Sequence, residues 1–401
     1  MISASASCLR LAVCRVDEKI WRQSVRYFRQ STSSPSPLLS TSLPSVRSKN
    51  TGTPTIFFQS CGFSSSDKSP KNSSTKGTDD GGGNSTDGKA SGNDESSSSS
   101  SSTSTSTSSS APARVTVNVD SATGICHVEL NRPNKLNAVD LSMFEAIAKT
   151  VNDLQNDKSI RVVILSGKGR SFCTGLDVKS VMKNFGNIQK QGPFAIMERL
   201  LERPSGYGQR KIGNLAQDVS MLWRELPVPV IAVLHGHCYG AGLQIALGAD
   251  FRFCHKDTKL SVMEGKWGLI PDMGASVLFR ETIGRIDVCK ELTMTGRIVD
   301  ADEAHRLGLV TRICSESAEN DCNGDPMEEA TKFAKALVEK SPDSLAATKE
   351  LYQNTWNMSD DEDALKEETR LQRKLLVSWN QLAASSRSLT GFKVPYFNRK
   401  D

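Results

Sequence analysis

Fifteen consecutive residues, Ser96–Ser110, are serine or threonine, and they close a stretch from about Ser64 dominated by Ser, Thr, Gly, Asn and Asp. Such a segment offers almost no apolar surface to offset the entropy of ordering its backbone, so it is read as a disordered linker. The composition after it is so different that one large folded domain behind a leader is expected, and the remaining length suffices for a sizeable core.

Upstream of the linker, Arg15, Lys19, Arg22, Arg26 and Arg29 fall on one side of a helical wheel, while Leu9, Val13, Val16, Ile20 and Tyr27 fall on another. With Asp17 and Glu18 as the acids of that region, this basic amphipathic segment reads as an organelle presequence, mitochondrial in preference to plastid. A solvated charged helix or tail is the competing reading. The chain ends Asn398-Arg-Lys-Asp401, which is not a peroxisomal Ser-Lys-Leu ending. The organisation expected is a presequence over 1–60, a linker over 61–112, a folded core over 113–310, and a helical region of the same domain over 311–401.

The formal charge is +5, with acids and bases mixed through the carboxy-terminal part, so neither a nucleic-acid partner nor a membrane surface is demanded. No apolar run is long enough to span a bilayer. The ten cysteines include no C-x-x-C pair and stand at no metal-ligand spacing to the histidines, so no metal site is expected and the cysteines are read as reduced and mostly buried. Cys173 and Cys238 adjoin the motifs below, but no activating base accompanies either thiol.

From Arg114 onward the pattern is extended, then helical, then extended again. Val115, Val117 and Val119 alternate with polar residues, Gly124 offers a turn, and Ile125, Val128 and Leu130 resume an extended run, so a hairpin opens the domain. Met143, Ile147, Val151 and Leu154 repeat at helical spacing. Val162–Leu165 and Val228–Leu234 read as buried strands leading into glycine-containing turns. Helices are expected near Ala330–Glu339, Ser344–Asn354 and Ala364–Leu382, which makes the class α/β with a helical carboxy-terminal region.

Four segments are specific. Asn131-Arg-Pro-Asn-Lys-Leu-Asn-Ala138, Ser171-Phe-Cys-Thr-Gly-Leu-Asp-Val-Lys179, His235-Gly-His-Cys-Tyr-Gly-Ala-Gly242 and Thr295-Gly-Arg-Ile-Val-Asp-Ala-Asp-Glu-Ala304 occur in the order found in the crotonase superfamily, which the chain resembles over nearly everything after Arg114. The resemblance implies a crotonase-like spiral of ββα units, acyl-CoA thioester substrates with coenzyme A as part of the substrate and no further cofactor, and a homotrimer or homohexamer. It places an oxyanion hole on the amides of Leu176 and Ala241, beside Gly175 and Gly240, to stabilise the charge that develops on a thioester oxygen. It also implies that Lys135, Leu136, Ala138, Asp177 and Lys179 line the coenzyme A cleft and its nearby loops. His235 and His237 flank the glycine-rich turn and are read as structural rather than as bases.

The carboxylates bear on the reaction. Family hydratases activate a water with two glutamates, whose positions fall here on Gln244 and Glu264. Glutamine can orient water but cannot shuttle its proton, and loss of an acid–base partner costs ~10²–10⁴ in rate. Dienoyl-CoA isomerases of the superfamily instead carry a second acid eight residues after the first, which matches Glu264 and Asp272, though they usually hold an aspartate where Gln244 stands. The resemblance assigns Asp272 to the C2 side of the substrate and Glu264 to the C6 side. The leading expectation is an acyl-CoA double-bond isomerase of fatty-acid β-oxidation, acting on 3,5-dienoyl-CoA or 3-enoyl-CoA. A hydratase or another crotonase reaction stays open, as does a noncatalytic crotonase-fold binding or scaffold protein. Asp272 could alternatively cap a helix, and Glu264 could be a surface loop residue.

Overall fold

The computed structural model describes residues 112–180, 194–209, 211–314 and 324–400, which fall in one compact unit. The presequence reading and nearly all of the linker reading lie outside the described residues.

The alternating valines form the expected hairpin, in which β1 (Val115–Asp120) pairs antiparallel with β2 (Ile125–Leu130). Seven further strands follow among the described residues: β3 (Val162–Gly167), β4 (Val230–Leu234), β5 (His237–Tyr239), β6 (Phe251–His255), β7 (Lys259–Ser261), β8 (Ile298–Val299) and β9 (Arg312–Cys314). β1, β2, β3, β4, β6 and β9 make one sheet in that order, parallel from β2 onward, while β5, β7 and β8 make a second, smaller sheet. The chain runs from β4 to β5 and into a helix, then from β6 to β7 and into helices, so it winds as a spiral of ββα units. The helices are α1 (Leu141–Asn156), α2 (Phe194–Leu201), α3 (Leu215–Glu225), α4 (Ala241–Leu247), α5 (Ala275–Thr282), α6 (Ile286–Thr295), α7 (Ala301–Arg306), α8 (Pro326–Val338), α9 (Pro342–Thr355), α10 (Asp361–Leu375) and α11 (Trp379–Thr390).

The apolar runs in β3 and β4 follow from burial on both faces. Val163, Leu165, Val230 and Ala232 face a core shared with α1, α3 and α4, whereas Val162, Ile164, Ile231 and Val233 face a second cluster closed by Ala330 and Ala334 of α8. α1 begins where Asp140 accepts from the Met143 amide at 2.9 Å, and α3 begins in a reciprocal cap between Asn214 and Gln217.

Two expectations need correction. The helix expected over Ala364–Leu382 is two helices, because Val377 sits at φ +62° and Ser378 caps α11 by accepting from the Gln381 amide at 3.2 Å. Apolar spacing continues through the break and conceals it. Cys126, Cys173, Cys238, Cys254 and Cys289 carry free thiols, but Cys314 takes part in a disulfide. Cross-linking requires two Cα atoms to come within about 7 Å, which spacing along the chain does not report. Among the described residues no helix is long and apolar enough to cross a membrane.

α9 is pinned to the core by one buried ammonium. Lys349 Nζ donates to the carbonyls of Trp223 and Val228, each at 3.0 Å, and to Asp250 at 2.7 Å. Lys349→Met should therefore cost about 3 kcal/mol or more in denaturant unfolding, because it leaves the Asp250 carboxylate and two carbonyls without their donor. Adding Asp250→Asn should recover part of that loss.

Candidate active site

After β3 the chain passes beside the turn that joins β5 to α4. Phe172 and Cys173 donate their amides to the carbonyls of His235 and His237 at 2.9 and 3.1 Å, and the Tyr239 amide returns to the Cys173 carbonyl at 3.0 Å. Contact this close needs glycine at two points. A β-carbon on Gly242 would lie 2.5 Å from the Cys173 carbonyl oxygen. Gly175 sits at φ +94°, where a β-carbon would lie 3.0 Å from the Tyr239 oxygen and 3.6 Å from the Ala241 nitrogen.

The two turns therefore abut, and Gly175, Leu176, Gly240 and Ala241 together line a cavity of about 340 Å³. Neither the Leu176 amide nor the Ala241 amide donates to an acceptor among the described residues. Two unspent N–H groups beside a cavity suit an anionic or strongly polarised oxygen.

Glu264 stands in the short helical turn Met263–Trp267, and both it and Asp272 line this same cavity. Phe144, Leu200, Met263 and Ile270 supply apolar walls. A β-carbon on Gly240 would lie 3.4 Å from Glu264 Oε1, so this carboxylate abuts the glycine that precedes the Ala241 amide. Its Oε2 is buried and accepts no hydrogen bond. Burial pushes the Glu264 carboxyl above the usual range, hydrogen bonds from its own backbone N–H and from Gln244 oppose that rise, and the negative charge of Asp272 adds to it. Asp272 is exposed as a residue, yet burial of its carboxyl raises its pKa too.

Two of the alternative roles, a helix cap for Asp272 and a surface loop residue for Glu264, do not fit the geometry, while a turn role for exposed Asp272 stands. The helix after Asp272 is capped at Gly274 without a side-chain bond, so Asp272 does not cap it. A surface loop residue would not bury an unpartnered carboxylate oxygen.

Gln244, on α4, is 1% exposed and does not line the cavity. Its Nε2 donates to Glu264 Oε1 at 2.7 Å, and its Oε1 accepts from the Met273 amide at 2.9 Å. A backbone N–H can only donate, so the amide orientation follows from the bonding.

Of the residues expected to contact substrate or coenzyme A, Gly175 and Gly240 line the cavity, whereas Lys135, Leu136, Ala138, Asp177 and Lys179 do not. Lys135 and Lys179 are exposed, and Leu136 and Ala138 are half-buried in the preceding loop. The Leu136 carbonyl accepts from the Thr174 amide at 3.1 Å. Asp177 pairs with Arg132 at 2.8 Å and accepts from the Ser180 amide at 3.0 Å. Sequence reasoning missed Arg132, which also reaches Asp140 at 3.4 Å and the Ala138 carbonyl at 2.9 Å and so ties the two loops together. It also missed Asn137, fully buried, whose side chain donates to the Lys168 and Ser171 carbonyls at 2.9 Å each. Their signal was position alone, inside a motif segment.

His235 bonds to the Gly169 carbonyl at 2.9 Å, and His237 bonds to Ser171 Oγ at 3.0 Å and packs edge-on against Tyr239. Both are structural, as expected. Burial pushes the Cys173 thiol up to about 12 and the Cys238 thiol higher than usual as well, so neither is a nucleophile at neutral pH. Among the described residues no group of acids, histidines or cysteines could hold a metal.

Comparison with known proteins gives a consistent result. The family profile described as enoyl-CoA hydratase/isomerase matches residues 125–325. The chain is 31% identical over 232 residues to the peroxisomal Delta(3,5)-Delta(2,4)-dienoyl-CoA isomerase of Arabidopsis thaliana, covering 58% of this chain and 77% of that protein. It is 31% identical to the mitochondrial enzyme of the same description from Homo sapiens, covering 56% and 64%. It is 30% identical to the carnitinyl-CoA dehydratase of Salmonella typhi, covering 58% and 78%. The enoyl-CoA hydratase structure from Mycobacterium smegmatis, at 24% identity, shares the fold with a TM-score of 0.57 over 71% of this chain and 98% of that one.

A buried acid with a raised pKa binds its proton more tightly folded than unfolded, so the stability it contributes is lost as pH rises through its folded pKa. Glu264→Gln should therefore raise the melting temperature at pH 7 by ~2–4 °C, corresponding to about 1 kcal/mol, and by much less at pH 4. Thermal melts at the two pH values check this.

Proposed function

The chain belongs to the enoyl-CoA hydratase/isomerase family, and we propose that it moves a carbon–carbon double bond along an acyl-CoA thioester rather than adding water across one. The observation that carries this reading is the pairing of Glu264 and Asp272 in one cavity with two free amides, while the side chain at position 244 is an amide with both ends already bonded. Hydration calls for a second proton-transfer group at that position, and Gln244 supplies none.

In this reading the thioester oxygen accepts from the Leu176 and Ala241 amides, which stabilise the enolate formed when a carboxylate removes the C2 proton. The extended enolate then takes a proton at its far end, at C6 of the trienolate from a 3,5-diene to give a 2,4-diene, or at C4 of the dienolate from a 3-ene to give a 2-ene. Contact of Glu264 with Gly240 supports Glu264 as the base at C2 and leaves Asp272 as the acid further along the acyl chain. This reverses the division of labour expected from the resemblance. A raised carboxylate pKa suits both tasks, since such a group takes up a proton more readily and gives it back.

Lys135 and Lys179 are exposed and supply ammonium groups for coenzyme A phosphates, with Leu136, Ala138 and Asp177 in the same loops. Coenzyme A enters as part of the substrate, and no step needs another cofactor. Trp267, Leu269 and Ile270 line the cavity yet are 61%, 52% and 74% exposed, which supports a homotrimer or homohexamer in which another copy covers them. The basic residues spaced through Arg15–Arg29 support mitochondrial delivery, as in the human relative's description, whereas the Arabidopsis relative is described as peroxisomal. A dehydration reaction is the second reading, favoured by the likeness to carnitinyl-CoA dehydratase.

Ultraviolet absorbance of the full chain with 3,5-dienoyl-CoA, 3-enoyl-CoA and 2-enoyl-CoA separates these readings. Isomerisation of the first two and slow hydration of the third are expected. Glu264→Gln should lower both isomerisations by ~10²–10⁴. Asp272→Asn should lower diene conversion by a similar ~10²–10⁴ while sparing 3-enoyl isomerisation and deuterium exchange at C2. Rapid hydration of 2-enoyl-CoA would overturn the isomerase reading, and an Asp272→Asn chain with unchanged diene conversion would remove the diene as its substrate.

A further inference from the structure

We propose that Gln244 is a positioning residue whose amide clamps the Glu264 carboxylate to the Asp272 segment, so that Glu264 exchanges protons with substrate through Oε2 alone. This rests on the reading of Glu264 as a proton-transferring group.

Three observations converge on that assignment. Glu264 Oε1 is engaged by Gln244 Nε2 at 2.7 Å and lies against Gly240, whereas Oε2 is buried and unbonded. The other end of the same amide accepts from Met273, the residue directly after Asp272, at 2.9 Å. One side chain therefore spans both acid-bearing positions without itself lining the cavity. It cannot touch the substrate from there, and its effect has to pass through Glu264 and Asp272.

The chemistry follows from the amide being neutral at every accessible pH. While Glu264 is ionised, Nε2–H donates to Oε1. When Glu264 takes a proton, Oε1 still accepts from Gln244, so the proton resides on Oε2. It can return to the substrate without rotation of the carboxyl. A carboxylate at 244 would either repel Glu264 or hold a proton between the two groups.

Among charged groups of the described residues, Asp272 is the one that acts on Glu264. α4 carries none. Lys266 on the same turn, Arg280 and Glu281 on α5, and Asp287, Lys290 and Glu291 on α6 contribute no shift to it. A change at 244 should therefore be read directly in how Glu264 titrates.

Two variants of the full chain test the clamp, with kcat and KM followed against pH on whichever acyl-CoA the wild type isomerises. Infrared pH-difference spectra of the free protein, with Glu264→Gln as the reference, report the Glu264 titration without any substrate. Gln244→Met removes the donor, so kcat should fall ~10-fold or more while KM stays within about twofold, and the acid limb and infrared midpoint should both move up by ~1 pH unit. Gln244→Glu keeps the shape, so it should retain activity while a proton is shared and lose it at higher pH, adding an alkaline limb absent from the wild type. An unmoved infrared midpoint in Gln244→Met, or a loss confined to KM, overturns the clamp. If Gln244→Met does not fold, an alkaline limb in Gln244→Glu supports the clamp and its absence overturns it. A wild-type chain that isomerises neither thioester overturns the reaction reading instead, which the infrared result distinguishes from a failed clamp.

Discussion

The site depends on the backbone pairing that brings the segment after β3 against the segment after β4. Three hydrogen bonds hold Phe172 and Cys173 to His235, His237 and Tyr239. Each contributes only ~1 kcal/mol net, so their importance is geometric. They bring Gly175 to the edge of the Tyr239–Ala241 turn, and the missing side chain of Gly242 lets α4 seat against the Cys173 carbonyl. The Leu176 and Ala241 amides then reach the cavity with no internal acceptor, a cost in the empty fold that a thioester oxygen would offset.

A second cost is electrostatic. Glu264 Oε2 is buried with no side-chain partner among the described residues, and burial makes the charged form of the carboxyl unfavourable. The arrangement persists because its surroundings over-determine it. Gln244 fixes one oxygen, Gly240 leaves room for it, and the Arg132 pairs with Asp140 and Asp177 hold the facing loop in place. Such local instability is what a proton-transfer group needs.

Much of the fold was legible in the sequence, for identifiable reasons. The strands at Val162 and Val230 stood out because both of their faces are buried, and α1 because its apolar spacing is regular over four turns. β5, β7 and β8 span only two or three residues, too few to show a period. The break at Val377 was hidden because apolar residues flank it on both sides. In the site, the resemblance to the crotonase superfamily pointed to Glu264, Asp272 and the glycine turns, whose motifs stand contiguous in the sequence. The role of Gln244 depends on where its two ends point, and that required Met273 and Glu264 to be seen in space. Arg132 and Asn137 escaped notice for the same reason, as their partners lie in other segments of the chain.

The Lys349 ammonium has a bearing on how the molecule comes apart. It sits beneath α9 and draws on acceptors from α3, from the α3–β4 connection and from Asp250, so lifting that helix would strand buried groups. α9 is thus not an appendage that can fray while the sheet stays intact, because its lifting would leave these buried acceptors without their donor. Local opening, where the enzyme needs it, is left to elements with no such anchor.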